Sequence, residues 1–214
     1  MDLQKQDLLE KYVLEHIDQE PELLKKLNRD AHTNLLHPRM ISGHLQGRLL
    51  KMLCRLLQPQ CILELGTYTA YATLCLAEGA VEDAEIHTIE VFDELEDFIK
   101  KHLHQSKLKE KIHLHIGDAL EIIPTIDRIF DLVFIDANKR TYIEYYNAIF
   151  PKVRPGGLII ADNTLWDGKV LDTPKASDKQ TIAIQAFNDM IAQDDRVEKV
   201  ILPIRDGLTL IWKK

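Results

Sequence analysis

Two segments of the chain place carboxylates directly after apolar runs. Asp136 follows the run DLVFI, and Asp162 with Asn163 follows the run GLIIA. A carboxylate in such a place is costly to bury without a partner. If the two runs are neighbouring strands, Asp136, Asp162 and Asn163 converge on one point. Two carboxylates and a side-chain amide form a hard oxygen cluster, which suits Mg²⁺, Mn²⁺ or Ca²⁺ and suits zinc poorly.

A lysine lies close to the first of these carboxylates. Lys139 follows Asp136 by three residues. Beside a dication, repulsion between like charges is expected to lower the lysine pKa from its usual value of about 10.4. A lysine of this kind is a candidate general base. The plainer alternative is a surface ion pair between Asp136 and Lys139, with Asp162 capping a helix.

A second set of candidates follows the first two apolar runs of the central region. Glu64 and Gly66 end the run that begins at Cys61, and Glu90 ends the next run. Gly66 permits a tight turn and a close approach of a ligand to the backbone. An acidic residue in the place of Glu90 is positioned to accept hydrogen bonds from ribose hydroxyls. Asp118, after the third run, is placed where a carboxylate meets an adenine amino group.

The loop after Glu64 lacks the usual features of a dinucleotide site. Such a loop reads GxGxxG, so that a pyrophosphate reaches the helix N-terminus. Here Tyr68 and Tyr71 occupy the places of the second and third glycines. A ribose contact and an adenine contact without a pyrophosphate loop favour S-adenosylmethionine over NAD.

The elements that position these residues alternate regularly along the chain. Short apolar or β-branched runs are separated by helical stretches at Tyr71–Glu78, Glu94–His104, Leu120–Ile123 and Tyr142–Phe150. This alternation predicts parallel βαβ units. Val197–Leu202 and Leu208–Trp212 are separated by five residues that include Asp206-Gly207, which predicts an antiparallel hairpin. We therefore expect an α/β fold, a Rossmann-like doubly wound seven-stranded mostly parallel sheet with an antiparallel C-terminal edge hairpin and extra N-terminal helices.

Length and composition limit the classes of protein. A chain of 214 residues fits one domain, with N-terminal helices in residues 1–58 and a Rossmann-like core in residues 59–214. The net charge of -7 argues against a broad nucleic-acid-binding face. The three cysteines lie in apolar stretches and are expected to be buried and reduced. The polar N-terminus does not read as a signal peptide and no apolar run reaches about 20 residues, so we predict a cytoplasmic protein.

Several motifs together carry a family resemblance. They are ELGTYTAYA from Glu64, the strand end at Glu90, IGDA from Ile116, DANK from Asp136, PGG from Pro155 and ADNTLW from Ala161. From about Met40 to the C-terminus the chain resembles the metal-dependent class I O-methyltransferases, which include catechol and caffeoyl-CoA O-methyltransferases and bacterial relatives. The resemblance implies S-adenosylmethionine as cofactor, Asp136, Asp162 and Asn163 as metal ligands and Lys139 as the base. It also implies a cofactor pocket formed by Met40, Ser42, Glu64, Gly66, Tyr68, Glu90, Asp118, Ala119 and Asp136.

The methyl acceptor is less constrained. The resemblance implies a vicinal-dihydroxy aromatic small molecule as the acceptor. The acceptor side is expected to be formed by residues that follow the candidate metal ligands, Trp166–Lys169 and the loop over 170–179, together with the helix that carries Arg39, His44 and Arg48. Some bacterial relatives modify a hydroxylated uridine in tRNA, so tRNA is an alternative acceptor, contacted through Arg39, Arg48, Lys51 and Arg55. Many relatives have Asp where this chain has Asn138, which removes a charge beside Lys139. Relatives are commonly homodimers, and the amphipathic N-terminus is a candidate dimer contact.

Two other classes of function fit part of the sequence. An NAD(P) oxidoreductase fits the sheet but not the single-glycine loop after Glu64. A non-catalytic nucleoside-binding module fits the cofactor residues but leaves Asp136, Asp162 and Lys139 without a role. The pairs His102/His104 and His113/His115 do not converge at the ligand-binding end of the sheet, and we interpret them as surface or packing residues.

Overall fold

Three helices precede the sheet. The computed structural model describes the backbone of residues 3–214 and the side chains of residue 5 and residues 8–214. The helices are α1 (Leu3–Glu15), α2 (Glu22–Asn34) and α3 (Gly43–Leu57). Among the described helices, none has the length and apolarity needed to cross a membrane.

The rest of the chain forms one seven-stranded sheet with helices on both faces. The strands are β1 (Cys61–Leu65), β2 (Glu85–Glu90), β3 (Ile112–Ile116), β4 (Phe130–Ile135), β5 (Val153–Asp162), β6 (Val197–Leu202) and β7 (Leu208–Lys213). The later helices are α4 (Tyr71–Gly79), α5 (Glu96–Leu103), α6 (Ala119–Ile122), α7 (Tyr142–Ile149) and α8 (Lys179–Gln193). The strand order is β3-β2-β1-β4-β5-β7-β6. Strands β1 to β5 pair in parallel and β7 pairs antiparallel with both β5 and β6, which confirms the predicted fold class.

The central strands are apolar throughout because helices cover both faces of the sheet. All five residues of β1 are buried. On one face, Leu63 and Val133 belong to a core that includes Phe187 of α8. On the other face, Ile62 lies in a second core with Leu50 of α3. A third core joins α2 to α4 and α5, so α2 packs against the sheet's own helices.

The C-terminal hairpin also holds the loop that follows β5. Gly207, with a φ of +88°, is the last residue of the β6–β7 link, and its carbonyl accepts a hydrogen bond of 3.1 Å from the Thr164 backbone. The Asp206 carbonyl accepts one of 2.9 Å from the Leu165 backbone. A Cβ at Gly207 would lie 2.5 Å from the Leu165 side chain, so the contact requires glycine. The Asp206-Gly207 turn therefore also fixes the position of the residues that follow Asp162.

The strand and helix bounds differ from the prediction at a few ends. Strand β5 begins at Val153, before the PGG motif, and the β4–β5 register shifts between Phe130 and Leu132. The shift accommodates the irregular Pro-Gly-Gly backbone inside β5. A pattern of apolar residues does not predict such an irregularity. All three cysteines are free and buried, as expected.

Candidate active site

The carboxyl ends of four strands meet at one edge of the sheet. The Asp136 backbone N–H donates to the Leu65 carbonyl at 2.9 Å, which joins the ends of β4 and β1. The Gly66 N–H donates to the Ile89 carbonyl of β2 at 2.9 Å. The Gly117 N–H, after β3, donates to the Glu90 carbonyl at 2.8 Å. In open α/β sheets ligands bind beyond this edge, near the point where the strand order reverses.

Glu64 is a fully buried carboxyl group at the end of β1. Its Oε2 accepts a hydrogen bond of 2.6 Å from the Thr88 hydroxyl and another from the Thr73 hydroxyl. Its Oε1 is buried and has no hydrogen-bond partner among the described residues. Burial raises the Glu64 pKa to about 8, against the opposing effect of the two threonine hydrogen bonds. A buried carboxyl oxygen with a free acceptor position is costly, which indicates a missing donor or cation.

Glu90 is held rigidly at the end of β2. It is 4% exposed, and its Oε2 accepts a 2.7 Å hydrogen bond from the Tyr68 backbone. Its Oε1 accepts one of 3.0 Å from the Phe92 backbone. Tyr68 has a φ of 49°, so this turn after β1 is in the left-handed region. Each carboxylate oxygen keeps a further lone pair for a ligand hydroxyl.

Position 66 must be glycine because the backbone after β4 lies directly against it. Its φ is +94°, and a Cβ there would lie 2.0 Å from the Asp136 carbonyl oxygen. Its sequence context predicts a tight turn and a close approach of a ligand to the backbone. The structure adds a backbone contact between the ends of β1 and β4 that leaves no room for a side chain.

We predict that Gly66→Ala lowers the free energy of unfolding by about 3 kcal/mol or more, since it combines a positive φ with a steric clash against backbone. Urea unfolding measures this loss. Gly168→Ala is the matched control, because Gly168 also has a positive φ, +74°, but nothing lies within 4 Å of its Cβ position. The control is expected to lose about 1 kcal/mol. Equal losses in the two variants would contradict the steric account.

The remaining residues predicted to bind the cofactor differ in their exposure and in their contacts with this edge of the sheet. Asp118 is exposed and its Oδ1 caps α6 by accepting from the Leu120 backbone at 2.8 Å, and Ala119 is buried beneath it. Met40 is 55% exposed and Ser42 is buried just before α3. Among the described residues, no side-chain hydrogen bond joins Met40 or Ser42 to Glu64 or Glu90. The structure therefore assembles Glu64, Gly66, Tyr68 and Glu90 directly.

Asp136 and Asp162 follow a pair of register partners, Ile135 in β4 and Ala161 in β5. The two carboxylates are therefore neighbours, as the sequence predicts. Asp162 is 3% exposed. Burial, followed by the nearby charge of Asp136, raises its pKa to about 7. Two like charges in a buried place favour a bound cation.

Asp162 is also fixed by hydrogen bonds. Its Oδ1 accepts from the Asn163 backbone at 2.7 Å, and its Oδ2 accepts from the Gln46 side chain of α3 at 2.6 Å. Asn163 adopts a φ of 58°, so the chain turns sharply after β5. Asp162 ends a strand, so the alternative in which it caps a helix is wrong.

Lys139 lies inside the protein beside Asp136. Its Nζ donates to Asp136 Oδ1 at 2.7 Å and to the Tyr142 hydroxyl at 2.9 Å, and Lys139 is 8% exposed. The alternative of a surface ion pair is therefore wrong. Burial lowers the Lys139 pKa, but the charge of Asp136 and the contact with Tyr142 outweigh burial, so the pKa is raised. The direction of this pKa shift is opposite to the lowering that a dication beside Lys139 is expected to cause.

Two residues of the site were missed by sequence reasoning. The Tyr142 hydroxyl lies within 3.2 Å of the Ile135 carbonyl and 3.1 Å of the Asp162 carbonyl, which joins β4, β5 and Lys139. Its position three residues after Lys139 was an available signal, since that spacing places both on one helical face. Gln46 is 116 residues from Asp162 and carried no local signal.

The expected acceptor side is formed partly by the loop after β5. Trp166 and Asp167 both have positive φ values, and the Asp167 backbone donates to the Asp206 side chain. Arg48 does not face this side as expected. It is 9% exposed and pairs with Glu78 of α4 at 2.9 Å, and Lys51 pairs with the same carboxylate. Two of the four basic residues considered for tRNA phosphates are thus neutralised within the fold.

Residues 14–214 match the O-methyltransferase family. The chain belongs to the O-methyltransferase family. Caffeoyl-CoA O-methyltransferase 2 of Zea mays is 33% identical over 223 residues, covering 97% of this chain and 83% of the relative. The enzyme class predicted from the sequence is therefore confirmed, and the NAD(P) oxidoreductase and the non-catalytic binding module are wrong.

Solved structures of other O-methyltransferases have the same fold. TomG from Streptomyces achromogenes, in complex with SAM and involved in tomaymycin synthesis, superposes with a TM-score of 0.91 at 29% identity, covering 100% of this chain and 99% of that chain. The O-methyltransferase from Bacillus cereus, in complex with SAH, has a TM-score of 0.89 at 26% identity and covers 97% of each chain. This O-methyltransferase thus shares its whole architecture with enzymes that hold the methyl donor or its product.

Proposed function

We propose that this O-methyltransferase transfers a methyl group from S-adenosylmethionine to one hydroxyl of a vicinal-dihydroxy aromatic, with a divalent metal ion at Asp136, Asp162 and Asn163. Lys139 is the general base. The observation that carries the proposal is the buried Asp162 carboxylate at the end of β5 beside the partly buried Asp136 after β4, with Lys139 in hydrogen-bond contact with Asp136. A caffeoyl-CoA-like phenol and a simple catechol both have the required pair of oxygens.

The donor set fits a hard dication. Two carboxylates and an amide offer oxygen ligands only, which Mg²⁺, Mn²⁺ and Ca²⁺ prefer. The raised Asp162 pKa marks an electrostatic cost that a cation would relieve. Gln46 and the Asn163 backbone fix the Asp162 carboxylate and so orient it for a ligand.

The edge of β1 and β2 fits S-adenosylmethionine. The free Oε1 of Glu64 is an acceptor for a cationic amino group, and Glu90 offers acceptors for ribose hydroxyls. Asp118 and Ala119 would contact the adenine end, and Met40 and Ser42 would close the pocket from the α3 side. The bound SAM of TomG and the bound SAH of the Bacillus cereus enzyme, on the same fold, support this placement.

The proposed reaction is a direct displacement, and the chain's residues align its parts. S-adenosylmethionine supplies the methyl group and leaves as S-adenosylhomocysteine, its sulfur keeping the electron pair of the broken bond. A divalent metal held by Asp136, Asp162 and Asn163 would supply a Lewis acid that orients the acceptor and lowers the pKa of its attacking hydroxyl. Lys139 Nζ accepts the proton of that hydroxyl while its oxygen forms the new bond to carbon. Alignment of this kind contributes about 7–11 kcal/mol to rate enhancement.

The surroundings of Lys139 explain how a buried lysine with a raised pKa becomes a base. Burial alone favours the neutral amine, and the charge of Asp136 opposes it. A dication bound by Asp136 offsets that charge, so burial then dominates. Asn138, exposed beside this pair, adds no second carboxylate, and its side chain accepts from the Arg140 backbone at 3.2 Å.

A small aromatic acceptor is favoured over tRNA. Arg48 and Lys51 are committed to Glu78, which leaves Arg39 and Arg55 as the free members of the basic set considered for phosphates. The relative from Zea mays described above is a caffeoyl-CoA O-methyltransferase. Residues 1–214 are proposed to act as one methyltransferase domain, because α2 packs on α4 and α5. A homodimer and a cytoplasmic location stay predictions.

Replacing Glu64 with glutamine is expected to weaken cofactor binding and, at high pH, to stabilise the ligand-free protein. Its pKa of about 8 exceeds the ordinary value of 4.5, so the folded, ligand-free protein binds more protons than the unfolded one between these values. Stability from this group therefore falls as pH rises from about 4.5 to 8. Glu64→Gln removes that fall and weakens S-adenosylmethionine binding by about 10- to 100-fold.

Thermal unfolding from pH 5 to 9 and calorimetric titration with S-adenosylmethionine measure both effects. Glu144→Gln, at an exposed position on α7, is the control and should change neither. A Glu64→Gln protein that binds the cofactor with unchanged affinity would contradict the assignment.

The proposed function is tested by methyl transfer from labelled S-adenosylmethionine to a panel of acceptors. We expect label in catechol and caffeoyl-CoA, on one of the two vicinal oxygens, and none in phenols that lack the second oxygen. Label in bulk tRNA with none in the dihydroxy compounds would overturn the acceptor class.

A further inference from the structure

A second cluster of ligand-type side chains lies at the opposite end of the sheet. Cys61 begins β1, and its register partner in β2 is Glu85. His87 lies two residues beyond Glu85 and therefore on the same face. The thiol sulfur, a carboxylate oxygen and a ring nitrogen of these three residues all lie within 4.8 Å of one another. Cys61 is four residues from Leu65, so the cluster is about 13 Å from the end of β1 that faces the methyltransferase site.

His87 has the arrangement of a metal-binding histidine. Its Nδ1 lies 3.1 Å from the His115 Nε2, while its own Nε2 is buried and has no hydrogen-bond partner in the described part of the chain. The distance from this Nε2 to Glu85 Oε2 is 3.6 Å, and the His87 side chain is 12% exposed. When Nδ1 donates to His115, Nε2 carries the free lone pair. A histidine whose second nitrogen is held by a hydrogen bond is the usual metal ligand.

The His87 ring is also fixed by stacking. It lies parallel to the His113 ring, with centroids 4.9 Å apart, and to the His115 ring at 5.4 Å. Burial lowers the pKa of His87, so the ring is neutral near pH 7 and able to bind a metal. A neutral, oriented imidazole with an unused nitrogen has a defined place for a ligand.

The charges around Cys61 favour a cation. Burial, followed by the charges of the Glu85 and Asp131 carboxylates, raises the Cys61 pKa to about 11. Asp131 accepts hydrogen bonds of 2.8 Å from the Gln60 and Cys61 backbones, which hold it beside the cluster, and its other oxygen pairs with Arg154. A bound dication would reverse the balance, since metal binding deprotonates a coordinating thiol.

We propose that Cys61, Glu85 and His87 form a second metal site for a borderline-soft divalent ion of the Zn²⁺ type. Sulfur, nitrogen and oxygen ligands together suit Zn²⁺ and not the hard ions expected at Asp136 and Asp162. Ligands of a tetrahedral zinc are about 3.5 Å apart, so closing the cluster needs movements of about 1 Å. A surface pocket of about 740 Å³, lined by Cys61 and Glu85, gives the ion an entry path and leaves a fourth position for water.

Arg128 is the one competing group in the described part of the chain. Its guanidinium donates to both Glu85 oxygens, at 2.7 and 3.2 Å, and its side chain is 52% exposed. An exposed ion pair of this kind contributes about 0–1 kcal/mol. A metal–carboxylate bond can therefore displace it, and Arg128→Ala is expected to increase metal affinity.

Co²⁺ spectroscopy separates this site from the methyltransferase site. We expect wild-type protein titrated with Co²⁺ to develop a thiolate-to-metal charge-transfer band in the near ultraviolet with one equivalent. The oxygen ligands at Asp136 and Asp162 cannot produce that band. Cys61→Ser and His87→Ala should each abolish it, and Zn²⁺ should displace Co²⁺ and remove it.

Two variants serve as controls. Cys54→Ser removes another buried thiol and should keep the band, as should Asp162→Asn, which alters the other proposed site. Circular dichroism establishes that each variant is folded. Absence of the band in folded wild-type protein, or its persistence in Cys61→Ser, would overturn the proposal. Neither result depends on the methyltransferase mechanism.

Discussion

Lys139→Ala is expected to lower kcat for methyl transfer by about 10²- to 10⁴-fold, the range that a positioned general base contributes. The physical reason is the place of the amine. Lys139 is buried in hydrogen-bond contact with Asp136, a proposed metal ligand, and water does not replace it at the same distance and orientation. Steady-state kinetics with a catechol acceptor at saturating cofactor and Mg²⁺ measure the change.

Lys139→Arg distinguishes a base from a fixed positive charge. Arginine keeps the charge near Asp136 but does not lose its proton in proteins. It is therefore expected to be about as inactive as alanine. Arg140→Ala is the matched control, because Arg140 is the adjacent cation, is exposed and should keep full activity. Substantial activity in Lys139→Arg would contradict the assignment of Lys139 as the base.

Asp162→Asn is expected to weaken divalent-metal binding by at least about 100-fold, because even residues that only orient a ligand change metal affinity by 10- to 100-fold. Activity at low Mg²⁺ falls with it. The fold should persist, since asparagine removes a buried charge whose pKa is raised to about 7 by burial and by Asp136. Calorimetric titration with Mg²⁺ or Mn²⁺ measures the affinity.

Asp172→Asn is the matched control for this substitution. Asp172 is exposed in the loop after β5 and should leave metal affinity unchanged. The metal-free Asp162→Asn protein should also lose less stability than wild type as pH rises from about 4 to 7, because a carboxyl group with a raised pKa contributes most below that window. Unchanged Mg²⁺ affinity in Asp162→Asn would remove Asp162 from the proposed ligand set.

The sheet and its order of elements were predictable because helices on both faces make the central strands continuously apolar. The five-residue link between β6 and β7, which includes Asp206-Gly207, predicted the antiparallel hairpin. The convergence of Asp136 and Asp162 followed from the rule that parallel strands present their carboxyl ends at one edge. These inferences rest on local patterns that the fold preserves.

The features that escaped prediction depend on contacts between distant parts of the chain. Gln46 reaches Asp162 only because α3 packs beside the end of β5. The reason for Gly66 is a backbone approach from Asp136, which no pattern around Gly66 records. Arg48 was expected to face a ligand, yet a partner on α4, Glu78, turns it inward. Register within the sheet, which aligns Cys61 with Glu85, was likewise outside the local sequence.

The central claim is that the carboxylates ending β4 and β5 hold a metal on which methyl transfer depends. Its most direct test is the transfer of labelled methyl groups from S-adenosylmethionine to catechol by metal-stripped protein, measured without and with added Mg²⁺. We predict that stripped protein is inactive, that Mg²⁺ restores turnover, and that Zn²⁺ does not replace it. Full turnover by rigorously metal-free protein would contradict the account.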